Sequence, residues 1–306
     1  TLYSEGLVIK TSLNTHLQQL AEESLISGLM KYDKTQGWRG ALGNLNEYNI
    51  KFEDVIKKIK NPFPNKWVLT KIEKIESSKL FLSSIKLKNI ELDLKLQQNK
   101  WLKNKQFKKN DLFFIEKINS SYVIRQIPNV NGAILVIDPF SGDIMAMSGG
   151  FSFDLSQFNR STQAKRQPGS AFKPFVYLSA LKMGYSPSTL ILDAPYVIDQ
   201  GPGLPKWKPA NYSDEFYGLT TMRTGIEKSR NLMTIRLANK IGIDTILSSA
   251  KDFKIEKNLD KNMSMSLGSG LVTLIDLTNA YGIIANGGKE IKPNIIKSIY
   301  SRKGKK

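Results

Sequence analysis

The stretch Arg166-Gln167-Pro168-Gly169-Ser170-Ala171-Phe172-Lys173-Pro174 constrains this chain more than any other. Pro168 and Gly169 break whatever precedes them, and an apolar run of Phe172, Phe175, Val176, Leu178, Ala180 and Leu181 follows, closed by Gly184. These apolar residues spread around the helix instead of forming one stripe, which predicts a helix inside a core. Ser170 and Lys173 stand at i and i+3, on one helix face with Cβ atoms roughly 5–6 Å apart. A serine hydroxyl needs a base before it can act as a nucleophile. Lysine can be that base if burial or nearby positive potential brings its pKa from about 10.4 towards neutrality. The helix start would disfavour the ammonium form and stabilise an oxyanion. The spacing allows direct proton transfer from Ser170 to Lys173.

The pattern Ser-x-x-Lys is common by chance, and Ser83–Lys86, Ser170–Lys173 and Ser248–Lys251 all show it. The first lies in strand-like sequence, where i and i+3 face opposite ways, and the third lies in polar helical sequence with no breaker before it. Only Ser170 combines a helix start with an apolar setting. A second element, Ser229-Arg230-Asn231, follows 59 residues later. A serine hydroxyl there could relay a proton to a leaving group, and the Asn231 carboxamide could hold a substrate amide. Ser12-Leu13-Asn14 fits the same pattern, so the combination carries the signal.

At 306 residues the chain has room for two domains. With no cysteine and one histidine, His16, thiolate and histidine-rich metal sites are excluded, and no cofactor is expected. His16 lies at the start of a helix predicted from Leu17, Leu20, Ala21, Leu25 and Leu29, as an exposed or capping residue. The net charge of +18 is regional: residues 51–110 carry sixteen lysines against six acids. Such a region can face nucleic acid, anionic lipid or an acidic polymer, yet no arginine or aromatic cluster accompanies it, which favours a solvated surface without a nucleic-acid partner. No apolar run reaches the roughly 18 residues of a spanning helix. The chain starts at Thr1 without a signal-like segment and reads as a piece of something longer.

Between residues 67 and 127 the pattern turns to period two. Ile90, Leu92, Leu94 and Leu96 alternate with Glu91, Asp93 and Lys95, and further strands are expected at 67–72, 80–87, 112–115 and 122–124, the last pair joined by Asn119-Ser120-Ser121. Five short strands in about sixty residues suggest a small barrel, of the OB type. Residues 133–137 and 144–147 read as a hairpin around Asp138-Pro139-Phe140-Ser141-Gly142-Asp143. A long loop from Gln200-Gly201-Pro202-Gly203 to Tyr217-Gly218 is anchored by Trp207, Tyr212, Phe216 and Tyr217, and residues 220–241 and 276–285 read as helices. The tail Arg302-Lys303-Gly304-Lys305-Lys306 is polar. The expected division is a linker with the start of the catalytic region at 1–50, a barrel insertion at 51–128 and a catalytic domain at 129–306. The fold class is α+β.

Taken together, these motifs resemble the transpeptidase domain of bifunctional class A penicillin-binding proteins, the 1A type in particular. The resemblance rests on residues 132–142, 166–175, Trp207-Lys208-Pro209-Ala210-Asn211-Tyr212, 217–231, Ser266-Leu267-Gly268-Ser269-Gly270 and 280–288. Residues 5–43, with Lys10-Thr11-Ser12-Leu13 and Gly37-Trp38-Arg39-Gly40, resemble that family's linker, and the lysine-rich barrel resembles its OB-like insertion. The resemblance implies a truncated penicillin-binding-protein/β-lactamase-like transpeptidase fold with a small all-β domain. It implies Ser170 as the acylated nucleophile, Lys173 as its base, Ser229 as a proton shuttle and Asn231 as a substrate-orienting residue. The implied partners are peptidoglycan stem peptides, β-lactams and, through the barrel, cell-wall synthesis proteins, on the periplasmic side of the bacterial inner membrane. The family's third motif, Lys-Ser/Thr-Gly, does not occur in these residues, and the resemblance places it on a strand beyond them. A fragment of this extent is expected to lack one wall of its site and to be inactive alone. The rival readings are a β-lactamase or penicillin sensor, and a non-catalytic cell-wall-binding protein with a vestigial site.

Overall fold

The computed structural model describes residues 6–48, 50–102, 105–199, 201–203, 205–255 and 259–301. The polar tail from Arg302 and the first residue of the long loop, Gln200, lie outside the described residues. In chain order the elements begin with β1 (Leu7–Thr11), α1 (Thr15–Thr35), β2 (Gly43–Asn44) and α2 (Phe52–Lys58). The strands β3 (Trp67–Glu76), β4 (Lys79–Ser83), β5 (Ile90–Asp93), β6 (Asp111–Ile118) and β7 (Ser121–Arg125) follow, then the hairpin of β8 (Ile134–Ile137) and β9 (Ile144–Ser148). The remainder is β10 (Lys165–Arg166), α3 (Lys173–Lys182), β11 (Leu190–Asp193), β12 (Gly218–Thr221), α4 (Met222–Glu227), α5 (Asn231–Ile241), α6 (Ile243–Asp252), β13 (Val272–Thr273), α7 (Leu274–Ala285) and β14 (Ile296–Ser301). They form two compact units, one built from 15–134 and 147–159, the other from 1–14, 135–146 and 160–306.

In the first unit the period-two sequence forms a six-stranded antiparallel sheet in the order β2-β6-β3-β4-β5, with β7 also paired to β6. Side-chain alternation along β6 feeds two cores. Phe113 and Ile115 join Ile72, Leu80, Leu82, Leu92 and Ile124 on one face, while Leu112 and Phe114 join Phe52, Val55, Trp67, Leu69 and Phe151 on the other. All five predicted strands form, but two are shorter than their apolar patterns. β4 ends at Ser83, because Ser84 and Leu87 close a turn on each other through backbone and hydroxyl bonds. β5 ends at Asp93, after which the chain enters a 3-10 turn, Gln97–Leu102. Within α1, His16 is exposed in the first turn.

A side chain, not a backbone ladder, joins the sheet's free strands. Asn99, fully buried, donates from Nδ2 to Asp93 O of β5 at 3.0 Å and to Tyr122 O of β7 at 3.2 Å, and its Oδ1 accepts from Ile124 N at 3.2 Å. Truncating it strands buried backbone groups, each costing about 1–3 kcal/mol when left unpaired. Asn99→Ala is therefore expected to destabilise this unit by about 2–4 kcal/mol. Three of the four tryptophans, Trp38, Trp67 and Trp101, lie in this unit and report the shift in a urea titration. An unchanged midpoint would show that the strands hold together without the bridge.

The second unit packs α3 against α5 and α6. Phe172, Phe175, Val176, Tyr177 and Ala180 meet Met233, Leu237, Ala238, Ile241, Ile246 and Ala250 in one core, as the all-round apolar pattern predicts. The predicted helix over 220–241 is two helices: α4 stops at Glu227, and α5 restarts at Asn231. The break falls where Ser229 adopts a left-handed backbone, φ 52°. Such a conformation is costly for a residue with a side chain and marks a site held by its surroundings. A two-stranded sheet pairs β1 with β14, and a second pairs β10 with β13.

Candidate functional site

β10 delivers the chain to a 3-10 turn, Gly169–Phe172, that runs directly into α3, with Pro174 in the helix's first positions, where no intrahelical acceptor is lost. The turn is gripped from outside. Gly169 N donates to Gly268 O at 3.2 Å, and the Tyr281 hydroxyl donates to Ala171 O at 2.9 Å. Gly268 has φ 77°, and a Cβ built on it would stand 2.2 Å from Gly169 O. Ser170 is exposed on this turn, whereas Lys173, one turn on, is only 2% exposed.

Lys173 Nζ has three donors and three acceptors: Ser229 O at 2.6 Å, Ser229 Oγ at 3.1 Å and Asn231 Oδ1 at 2.7 Å. The structure thus joins Lys173, Ser229 and Asn231 through one nitrogen. Among the described residues Ser170 Oγ makes no hydrogen bond to it, although Ser170 lies on the same turn. No carboxylate pairs with Lys173 among the described residues, and burial alone holds its pKa down, to about 8. At pH 7.5 roughly a quarter of such groups are neutral, against about one in a thousand for an ordinary lysine. The lowering attributed in sequence to helix start and burial together has burial as its one cause here.

Three residues that the motifs do not flag build the other side. Asp193, fully buried at the end of β11, accepts from Asn211 Nδ2 at 2.8 Å and from Arg230 at 3.2 Å. Asn211 Oδ1 accepts from Asn231 N at 2.9 Å and Leu232 N at 3.3 Å, capping α5 from 20 residues away. Asn231 Nδ2 donates to Ala210 O at 2.8 Å. The signal for Asn211 was the polar residue set inside the Trp207–Tyr212 segment; a cap supplied from so distant a loop has no periodicity to betray it. The Ser83–Lys86 and Ser248–Lys251 pairs do not assemble a site: Ser83 bonds Glu73, and Ser248 and Lys251 lie on α6. Among the described residues no group of three or more His, Cys, Asp or Glu is placed to hold a metal.

An exposed serine on a gripped turn, beside a buried lysine that is partly neutral near pH 8, defines a centre suited to acyl transfer with lysine in place of histidine. A family model described as the penicillin binding protein transpeptidase domain matches residues 132–306, and the chain belongs to that family. It is 42% identical over 313 residues to penicillin-binding protein 1A of Rickettsia bellii, covering 99% of this chain and 39% of the relative. The crystal structure of penicillin-binding protein 1A from Haemophilus influenzae superposes with a TM-score of 0.88 at 28% identity, over 98% of this chain and 45% of that one. The PonA1 protein from Mycobacterium tuberculosis, solved in complex with penicillin V, shares the fold with a TM-score of 0.58 at 16% identity, over 99% of this chain and 58% of that one. The chain thus spans well under half the length of the Rickettsia relative.

Proposed function

We propose that this chain carries the acylation site of a peptidoglycan D,D-transpeptidase. The observation that carries the reading is the Lys173 amine, buried with no counter-charge among the described residues and bonded to both Ser229 and Asn231. The neutral amine takes the Ser170 proton as the hydroxyl attacks the terminal D-Ala-D-Ala bond of a stem peptide. Ser229 Oγ, 3.1 Å from Nζ, passes a proton to the departing D-alanine, and Asn231 orients the peptide. An amine of a neighbouring strand then resolves the acyl-enzyme and forms the cross-link. β-Lactams, which present the same acyl group in a ring, are trapped on Ser170.

Resemblance extends the proposal to the whole protein. On this reading glycan polymerisation belongs to a separate part of the whole protein, the site works on the periplasmic face of the inner membrane, and the sheet unit is an OB-like domain that contacts other cell-wall synthesis proteins. No helix among the described residues is long and apolar enough to cross a membrane. Residues 1–50, 51–128 and 129–306 remain the proposed linker, insertion and catalytic domain.

The full-length protein carrying this chain is expected to become covalently labelled by a fluorescent penicillin, and Ser170→Ala to abolish the label. Labelling that survives the substitution would overturn the assignment.

A further inference from the structure

The lysine's environment is set from a loop whose described residues make no hydrogen bond to Ser170 or Lys173. Residues 194–217 connect β11 to β12 and carry two neighbouring groups that grip Asn231 from different sides. Ala210 O accepts from the Asn231 carboxamide, and Asn211 Oδ1 accepts from the Asn231 backbone N–H. The first contact decides which way the carboxamide points. With Nδ2 held by Ala210 O, the oxygen faces Lys173; turned over, an N–H₂ would face an ammonium. The second contact fixes where α5 begins, and so where Asn231 stands.

Asn211 is itself locked. Its Nδ2 donates to Asp193 Oδ1 and to Glu215 O at 2.9 Å, while Asp193 Oδ2 takes Arg230. Arg230, lying between Ser229 and Asn231 in the chain, also stacks on Tyr217, 3.2 Å from the ring centroid. A carboxylate with both oxygens committed, fully buried and 18 residues from Asn211, is an anchor for the loop.

We propose that Asn211 is a positioning residue of the acylation site: anchored on Asp193, it holds the start of α5 so that the Asn231 carboxamide presents its oxygen to Lys173. The proposal rests on the reading of Ser170 as the acylated serine. Displacing a positioned group by an ångström can cost about a hundredfold in rate. No ion pair reaches Lys173 from α4, α5, α6 or the Met263–Leu267 turn among the described residues, so the polar groups that position its amine are those of Ser229 and Asn231.

The test measures penicillin acylation rates of the full-length protein across pH. Asn211→Ala is expected to lower the plateau at least about tenfold. It should also move the acid limb to lower pH, because an ammonium that loses an acceptor gives up its proton more easily. Asp193→Asn and Asn211→Asp are each expected to be slow, and the double variant, which restores the contact between the two positions while leaving Glu215 O without its donor, to recover to at least about threefold above either single variant. A folded Asn211→Ala with wild-type plateau and limb overturns the proposal. A plateau that falls only with the folded fraction, the limb unmoved, assigns a merely structural role and overturns it too. If Asn211→Ala does not fold, the double variant decides, and failure to recover is fatal to the idea. Ser170→Ala is run alongside: persistent labelling there sinks the acylation reading, whereas loss of label there with an indifferent Asn211 sinks this inference alone.

Discussion

Lys173→Arg is expected to slow penicillin acylation of Ser170 by at least about a thousandfold while the full-length protein stays folded. The substitution keeps the positive charge and the capacity to donate to Ser229 and Asn231. It removes the one property the chemistry needs, since a guanidinium does not lose its proton near neutrality. In wild type, burial brings the amine to about 8, and the acylation rate should rise with pH through that value and then level. Arginine should leave a low rate with no such rise. A Lys173→Arg protein that acylates within tenfold of wild type would show that another group takes the serine proton.

The same burial makes the lysine a cost to the fold, with a definite sign. Its folded pKa lies below its unfolded value, so the native state binds the proton less tightly than the unfolded state. The penalty is complete below about pH 8 and disappears as pH rises from there towards 10.5. Unfolding free energies of wild type and Lys173→Met, compared at pH 7 and pH 10.5, should shift relative to each other by about 3 kcal/mol in favour of wild type at the higher pH. A constant difference would mean that Lys173 is not buried in solution.

Gly268→Ala should be nearly as damaging, for a reason unrelated to proton transfer. Its φ of 77° is costly for alanine, and the added Cβ would meet Gly169 O at 2.2 Å and Gly169 N at 2.7 Å. Both obstacles are backbone, so neither can swing aside. Relief requires moving the turn that presents Ser170 or the Met263–Leu267 turn packed on it. We expect at least about 3 kcal/mol of lost stability, and acylation about a hundredfold slower in molecules that remain folded. Gly184→Ala is the control, because Gly184 has φ 88° but open space around its Cβ position. It should cost about 1 kcal/mol and leave labelling unchanged. Equal behaviour of the two variants would locate the damage in backbone strain alone and not at the Gly169 contact.

Features governed by local sequence were legible in advance. The strands of the sheet unit announced themselves by alternation, and α3 by a breaker followed by an all-round apolar run. What stayed hidden was long-range or conformational. Periodicity carries residues 220–241 through as one helix because it has no term for a backbone reversal at Ser229. The spacing of Ser170 and Lys173 allowed direct proton transfer, yet the lysine turns its donors to Ser229 and Asn231, since burying an ammonium demands three acceptors and the turn between α4 and α5, with the start of α5, supplies them. Asp193, Asn211 and Arg230 meet only because β11, the loop and α5 converge, and nothing in their spacing records that.

The pairing of β1 with β14 has a consequence for how the protein is made. Leu7 pairs with Ser301 at the far end of the described chain, and β1 keeps Leu7, Val8 and Ile9 exposed even when paired. During synthesis at about 5–20 residues per second, β1 emerges roughly 15–60 s before any of β14 exists. Throughout that interval the whole of the sheet unit can emerge and fold, while an apolar strand with two open edges waits beside it. The β1–β14 pair can thus join only after the sheet unit has emerged, and until then β1 is open to mispairing along both edges.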